Sequence, residues 1–406
     1  MIGGPPVVAG LDVGSSKTCA VILEGAAEEG GPERVLGVGL ATTEGMRREE
    51  VTDLEATTRC IRASLTEAEE MAGVEVRTPW VGLAGGHVEM ATSAGVVAVS
   101  GAEVTGGDVD RVHEVGRAVV LPPDRVLLHA IPQEYVLDGR RGIEAPVGMS
   151  GTRLETEVCV ITAGAASCDD LRKAVDRAGY GVEELVAEPL AGSLGVLREK
   201  EREGGVALVD VGEAATDLAV FKGGRVRHLS SMRWGGGSVT SDIVKGLGVP
   251  VEAAESLKRG HGSALTERVD PEERVEVAGA GPNGKRRVSR ELLSHIIEQR
   301  MDEVFGLVYD RLDAEGLLRE LSAGVVLTGG GVGLADTVEL GQRVFNLPVR
   351  LGQPGDGLAG FVDAVRKPKF ATAVGLGLYG LMRKRQRGGP ATRIVSRVGD
   401  WFREFF

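Results

Sequence analysis

Two stretches of this chain, 198 residues apart, carry one pattern. Residues 11–18 read LDVGSSKT and residues 209–216 read VDVGEAAT, each with Asp-Val-Gly and a Thr four residues after the Gly. Each ends a β-rich run and precedes another, CAVIL in the first copy and DLAVF in the second. One such stretch alone predicts only a hairpin, because Asp-x-Gly is common turn chemistry. Two of them at this spacing predict a duplicated domain rather than a solenoid. The length of 406 residues also exceeds what one hydrophobic core organises, so at least two domains are expected.

The local pattern fills in this frame. Residues 7–12, 19–24 and 34–40 read as strands joined by turns. Residues 49–71 have helical spacing, with Leu54, Ile61, Leu65 and Ala68 on one face. Residues 81–163 mix strands near 95–99 and 158–162 with a helix near 108–119, which predicts a compact insert. A helix is expected over 171–178. Residues 323–345, AGVVLTGGGVGLADTVELGQRVF, read as an apolar strand, a turn of Gly329, Gly330 and Gly331, and a helix from about Leu334. Residues without side chains between a strand and a helix let a ligand approach the backbone and meet free N–H groups.

Three glycine turns suit one phosphorylated ligand. Amides and the hydroxyls of Ser15, Ser16 and Thr216 can meet phosphate oxygens across a cleft. Asp12 and Asp210 would repel phosphate directly, and are better suited to hold Mg²⁺ through its water shell. Lys17 would neutralise phosphate charge. Gly329, Gly330 and Gly331 would accept the nucleoside end.

Other features exclude functions. A formal net charge of −12 argues against wrapping a nucleic-acid backbone. Cys19, Cys60, Cys159 and Cys168 lack metal-ligand spacing and are expected as buried, reduced thiols. The opening MIGGPPVVAG lacks the basic and apolar regions of a secretory signal. No run of 18 apolar residues predicts a spanning helix. Residues 279–286, GAGPNGKR, imitate a phosphate-binding loop, but Arg286 stands where Ser or Thr is required and no strand leads into it.

Taken with their order along the chain, GLDVGSSKTCAVI, LVDVGEAATDLAVF and VVLTGGGVGLAD resemble the two phosphate motifs and the adenosine motif of the actin, sugar-kinase and heat-shock-chaperone ATPases. LHAIPQEYVLDG, PVGMSGTRLE, GGGSVTSDI, AESLKRGHG and FATAVGLGLYG narrow the likeness to the bacterial cell-division family FtsA, over nearly the whole chain. The resemblance implies an α/β, actin-like fold of two ribonuclease H-like lobes. It places subdomain 1A at residues 1–80, 164–190 and 368–384, and the inserted 1C at 81–163. Subdomain 2A falls at 191–226 and 308–367, and 2B at 227–307. It further implies ATP and Mg²⁺ between the lobes, on Asp12, Gly14, Ser15, Ser16 and Lys17 from the first loop and Asp210 and Gly212 from the second. Gly236, Gly237, Glu255 and Lys258 would lie nearer ribose and base, with Gly329, Gly330 and Gly331 at the adenosine end. Implied partners are the C-terminal peptide of the tubulin-like protein FtsZ on 2B, further copies of the chain in a filament, later division proteins and an anionic membrane. One departure stands out. The family loop Asp-x-Gly-Gly-Gly-Thr is here Asp210-Val211-Gly212-Glu213-Ala214-Ala215. Glu213 would either orient a water for hydrolysis or repel the γ-phosphate, so binding is a firmer expectation than turnover. A pilus-assembly relative of FtsA and a small-molecule kinase are the alternatives. The kinase would need a catalytic base in the first lobe, for which the insert offers no clear candidate.

The tail is a separate device. Residues 383–406 hold seven Arg or Lys against two acids, and four of the last six residues are aromatic. Gly388, Gly389 and Pro390 interrupt regular structure, giving a linker over 385–392. Ile394, Val398, Trp401, Phe402 and Phe405 then recur on one helical stripe, with Phe406 following and Arg393 and Arg397 as cations. Residues 393–406 are therefore expected to lie as an amphipathic helix in a membrane interface. Each buried side chain contributes roughly 1.5–3 kcal/mol, most of it offset by about 1–2 kcal/mol of ordering entropy per residue. One tail holds weakly, and many tails on a polymer hold firmly.

Overall fold

A computed structural model describes residues 4–28, 30–278 and 285–388. The basic aromatic tail, with Arg393, Ile394, Arg397, Val398, Trp401, Phe402, Phe405 and Phe406, lies outside the described residues, as does most of the loop imitating a phosphate-binding motif.

The duplication expected from the two Asp-Val-Gly copies is present in the topology. In the first lobe, strands Val7–Val13, Lys17–Glu24 and Glu33–Thr42 form an antiparallel meander. Trp80–Leu83 and Glu184–Ala187 add parallel to its first strand, and Leu358–Gly360 closes the far edge. In the second lobe, Val206–Val211, Thr216–Lys222 and Arg225–Met232 make the same meander. Val325–Thr328 and Val349–Leu351 again add parallel. The strand order in both lobes is thus third, second, first, then two parallel strands, and the hairpin registers Asp12↔Cys19 and Asp210↔Asp217 coincide.

The central strands are continuous apolar runs because both faces of each sheet are covered. In the first lobe, helices Leu54–Ala72 and Ala165–Ala178 bury Ile61, Leu65, Leu171 and Val175 against one face. Helices Glu188–Val196 and Ala371–Gly388 bury the other, with Ala191, Val374 and Leu376 beside Val21 and Leu23. The first helix starts at Leu54 rather than near residue 49. Asp53 caps it by accepting from the Ala56 amide at 3.0 Å, while Arg48 and Glu49 sit at positive φ in a small hairpin before it. In the second lobe one core unites the sheet with helices Gly236–Leu247, Val251–His261 and Arg290–Ala314. The last of these runs unbroken across residues 307 and 308. It buries Leu293, Ile297, Met301, Phe305, Val308 and Leu312, so that face is core.

The insert is a four-stranded sheet, Glu89–Ala98, Arg153–Gly164, Arg125–Leu137 and Arg140–Ile143 in that order, backed by helix Gly106–Arg117. Trp80–Leu83 is hydrogen-bonded into the first-lobe sheet, so the insert begins beyond it rather than at residue 81. The two lobes share a floor, where Ala187, Leu190 and Val196 of the first pack with Leu208, Ala219 and Phe221 of the second.

Candidate functional site

Both hairpin turns reach the cleft between the lobes. In the first, the Gly14 amide donates to the Lys17 carbonyl at 3.0 Å; in the second, the Gly212 amide donates to the Ala215 carbonyl at 2.9 Å. That closes two equivalent four-residue turns. Among the described residues, the amides of Ser15 and Ser16, and those of Glu213 and Ala214, find no acceptor in the protein. Free amides at successive turn positions form an anion cradle. Here there are two cradles, one from each lobe.

Carboxylates crowd beneath them. Asp12 is buried and holds the Lys17 ammonium in an ion pair. Burial opposes that ammonium, but Asp12, Cys19 and Asp210 outweigh it and hold it above the usual lysine range. Asp210 accepts from the Thr372 hydroxyl at 3.3 Å, a contact that crosses from the first lobe to the second. Burial, then the neighbouring charges of Asp217 and Asp12, push Asp210 up to about 7. Burial raises Asp217 to about 6. Glu49 accepts from the Ser15 hydroxyl at 3.2 Å, and is raised to about 8 by burial and then by Asp217 and Asp12. Glu188, the first residue of its helix, is raised well above the ordinary range by burial and then by Asp12, Glu49, Asp217 and Asp210. Such a cluster is short of positive charge.

A second group of predicted site residues is also brought together. Lys258 Nζ lies 2.6 Å from Glu255 Oε2 and donates to the Gly236 carbonyl at 3.0 Å and the Thr240 hydroxyl at 2.6 Å. A side chain on Gly236 would stand 3.5 Å from the Gly331 Cα. Gly236, Glu255, Lys258 and Gly331 therefore share one wall. Gly329 has φ +91°, and a Cβ there would lie 2.2 Å from Asp210 Oδ1, so only glycine fits. Around Gly330 nothing stands within 4 Å of such a carbon.

Several expectations change. Thr216 is fully buried and its hydroxyl donates to the Trp234 carbonyl at 2.7 Å, so it fastens the hairpin instead of meeting phosphate. The amides of Gly236 and Gly237 donate to the carbonyls of Gly212 and Glu213 at 2.8 and 2.9 Å, so neither amide is free for a ligand. The helix after the triple-glycine turn starts at Thr337, not Leu334. A short 3₁₀ turn, Gly330–Val332, precedes it, and Asp336 at φ +62° accepts from Ser263 at 2.6 Å. Glu213 is exposed and leans on Gly237. Sequence reasoning missed Glu49, Glu188, Asp217 and Thr372. Only Asp217 had a readable signal, since it is the repeat mate of Cys19.

Comparison with known proteins agrees with this architecture. The family model for cell division protein FtsA matches residues 207–375, and that for the SHS2 domain inserted in FtsA matches residues 85–162. The chain is 38% identical over 378 residues to the cell division protein FtsA of Pseudomonas aeruginosa, covering 93% of this chain and 90% of that one. Among solved structures it is similar to a chain of the PilM–PilN type IV pilus biogenesis complex, with TM-score 0.65, 18% identity and coverage of 92% and 98%. It is also similar to MreB5 of Spiroplasma citri bound to ADP, with TM-score 0.57, 12% identity and coverage of 94% and 99%.

Proposed function

The chain belongs to the FtsA family of cell-division proteins, and on that premise we propose an ATP-binding, actin-like protein that polymerises on the cytoplasmic face of the membrane at the septum. There it tethers FtsZ filaments and recruits later division proteins. The observation that carries the nucleotide reading is the pair of facing turns, each with two unclaimed amides, above Asp12 and Asp210.

The residues fit Mg-ATP. Ser15, Ser16, Glu213 and Ala214 amides would hold phosphate oxygens, with Gly14 and Gly212 closing the turns. Asp12 and Asp210 would orient the hydrated Mg²⁺, whose charge relieves the crowding of Glu49, Glu188 and Asp217. Glu255, Lys258, Gly236, Gly237 and the Gly329, Gly330 and Gly331 turn would receive the nucleoside. Replacing Asp210 by Ala should weaken Mg-ATP binding at least tenfold by calorimetry. An unchanged affinity would mean the site lies elsewhere.

Residues 227–307 are proposed to receive the FtsZ C-terminal peptide. Trp234, Val251 and Leu292 are exposed apolar groups on that segment. Among the described residues no helix is long and apolar enough to cross a membrane. From its basic and aromatic sequence pattern, the proposed anchor is Arg393, Ile394, Arg397, Val398, Trp401, Phe402, Phe405 and Phe406.

A further inference from the structure

We infer that Glu213 sets the phosphate preference of the cleft, so that a nucleoside diphosphate is held more tightly than a triphosphate. The inference rests on the nucleotide reading above and deepens it. The two cradles are equivalent in backbone and opposite in charge. The repeat aligns Ser15 with Glu213 and Lys17 with Ala215, because Val13↔Thr18 and Val211↔Thr216 are matching registers. The first turn therefore carries a hydroxyl and an ammonium, whereas the second carries a carboxylate and two methyl groups.

The placement of that carboxylate sharpens the contrast. A Cβ built on Gly237 would meet Glu213 Oε1 at 2.6 Å, so the acid rests on the first turn of helix Gly236–Leu247. The amides of Gly236, Gly237 and Ser238 already donate to the carbonyls of Gly212, Glu213 and Gly235. The positive end of this helix is thus answered by protein groups, Glu213 among them. Two neighbouring cations are committed as well: Lys258 to Glu255, and Lys17 to Asp12. Asp210 and Asp217 stand behind the same turn. Every added phosphate brings more negative charge to this side of the cleft, and like charges a few ångströms apart repel even in a wet site. The shorter phosphate chain loses least.

The test is competition binding of Mg-ADP and Mg-ATP to the full-length chain, for the wild type and for Glu213→Gln, Glu213→Ser and Glu213→Asp. The wild type should favour Mg-ADP by about tenfold, equivalent to about 1.4 kcal/mol. Glu213→Gln and Glu213→Ser should bring the ratio close to one, and Glu213→Asp should keep it. Equal affinities in the wild type, or a ratio unmoved by both neutral variants, would overturn the inference while leaving a nucleotide site in place. Failure of every variant and the wild type to bind either nucleotide would overturn the nucleotide reading, and this inference with it. Glu213 is exposed, so the neutral variants should melt with the wild type.

Discussion

At the scale of single residues, the cleft is a store of protons. Without a bound cation, Asp210, Asp217 and Glu49 are pushed up to about 7, 6 and 8 from ordinary values of 3.8, 3.8 and 4.5. Burial comes first in each case. The folded state therefore keeps protons that the unfolded chain has already released between roughly pH 4.5 and 8. Where the native state binds more protons, stability falls as pH rises. The melting temperature of the nucleotide-free protein should accordingly drop from pH 6 to pH 8, and Asp210→Asn or added Mg²⁺ should flatten the drop. Melts that stay level across that window would show that these acids are not packed together. Asp12, Asp210 and Lys17 were legible because they sit in a repeated motif. Glu49 and Glu188 were not, because each reaches the cleft from its own element and nothing beside it in the sequence signals a ligand.

At the scale of elements, close backbone approach does the positioning. Gly375 lies in helix Ala371–Gly388, and a Cβ there would fall 1.8 Å from the Ala191 carbonyl of helix Glu188–Val196. Gly375→Ala should wedge apart the two helices that carry Glu188 and Thr372. Overpacking of this kind costs about 1–3 kcal/mol, measurable by urea denaturation, and it should weaken nucleotide binding because Thr372 reaches Asp210. Gly329→Ala tests the second lobe in the same way. Its backbone has φ +91° and ψ 174°, a region that only glycine occupies readily. Added to the clash with Asp210, the cost should exceed about 2 kcal/mol. A variant as stable as the wild type would mean the turn relaxes freely. The strands and main helices were legible from periodicity. Helix starts shifted where local chemistry overrode it: at Leu54 through the Asp53 cap, and at Thr337 after the 3₁₀ turn Gly330–Val332.

At the scale of the molecule, a duplicated α/β body is joined to a short basic, aromatic tail. Deleting residues 393–406 should abolish co-sedimentation with anionic liposomes and leave Mg-ATP affinity unchanged; undiminished lipid binding would remove the anchor from that segment. If one such tail holds weakly, as its composition predicts, dilution below the assembly concentration should also release the full-length chain from vesicles. The sequence by itself determined the duplication, the two Asp-Val-Gly turns, the triple-glycine turn and the insert between them, since each is written in contiguous residues with a local physical meaning. It also marked Glu213 as a departure. Only the tertiary structure decided which side chains meet. It buried the Thr216 hydroxyl on Trp234, brought Thr372 across to Asp210, and gathered Glu49, Glu188 and Asp217 around them. The Thr372–Asp210 contact and the acid cluster join residues far apart in the chain, and they form only when the two lobes are packed against the same cleft.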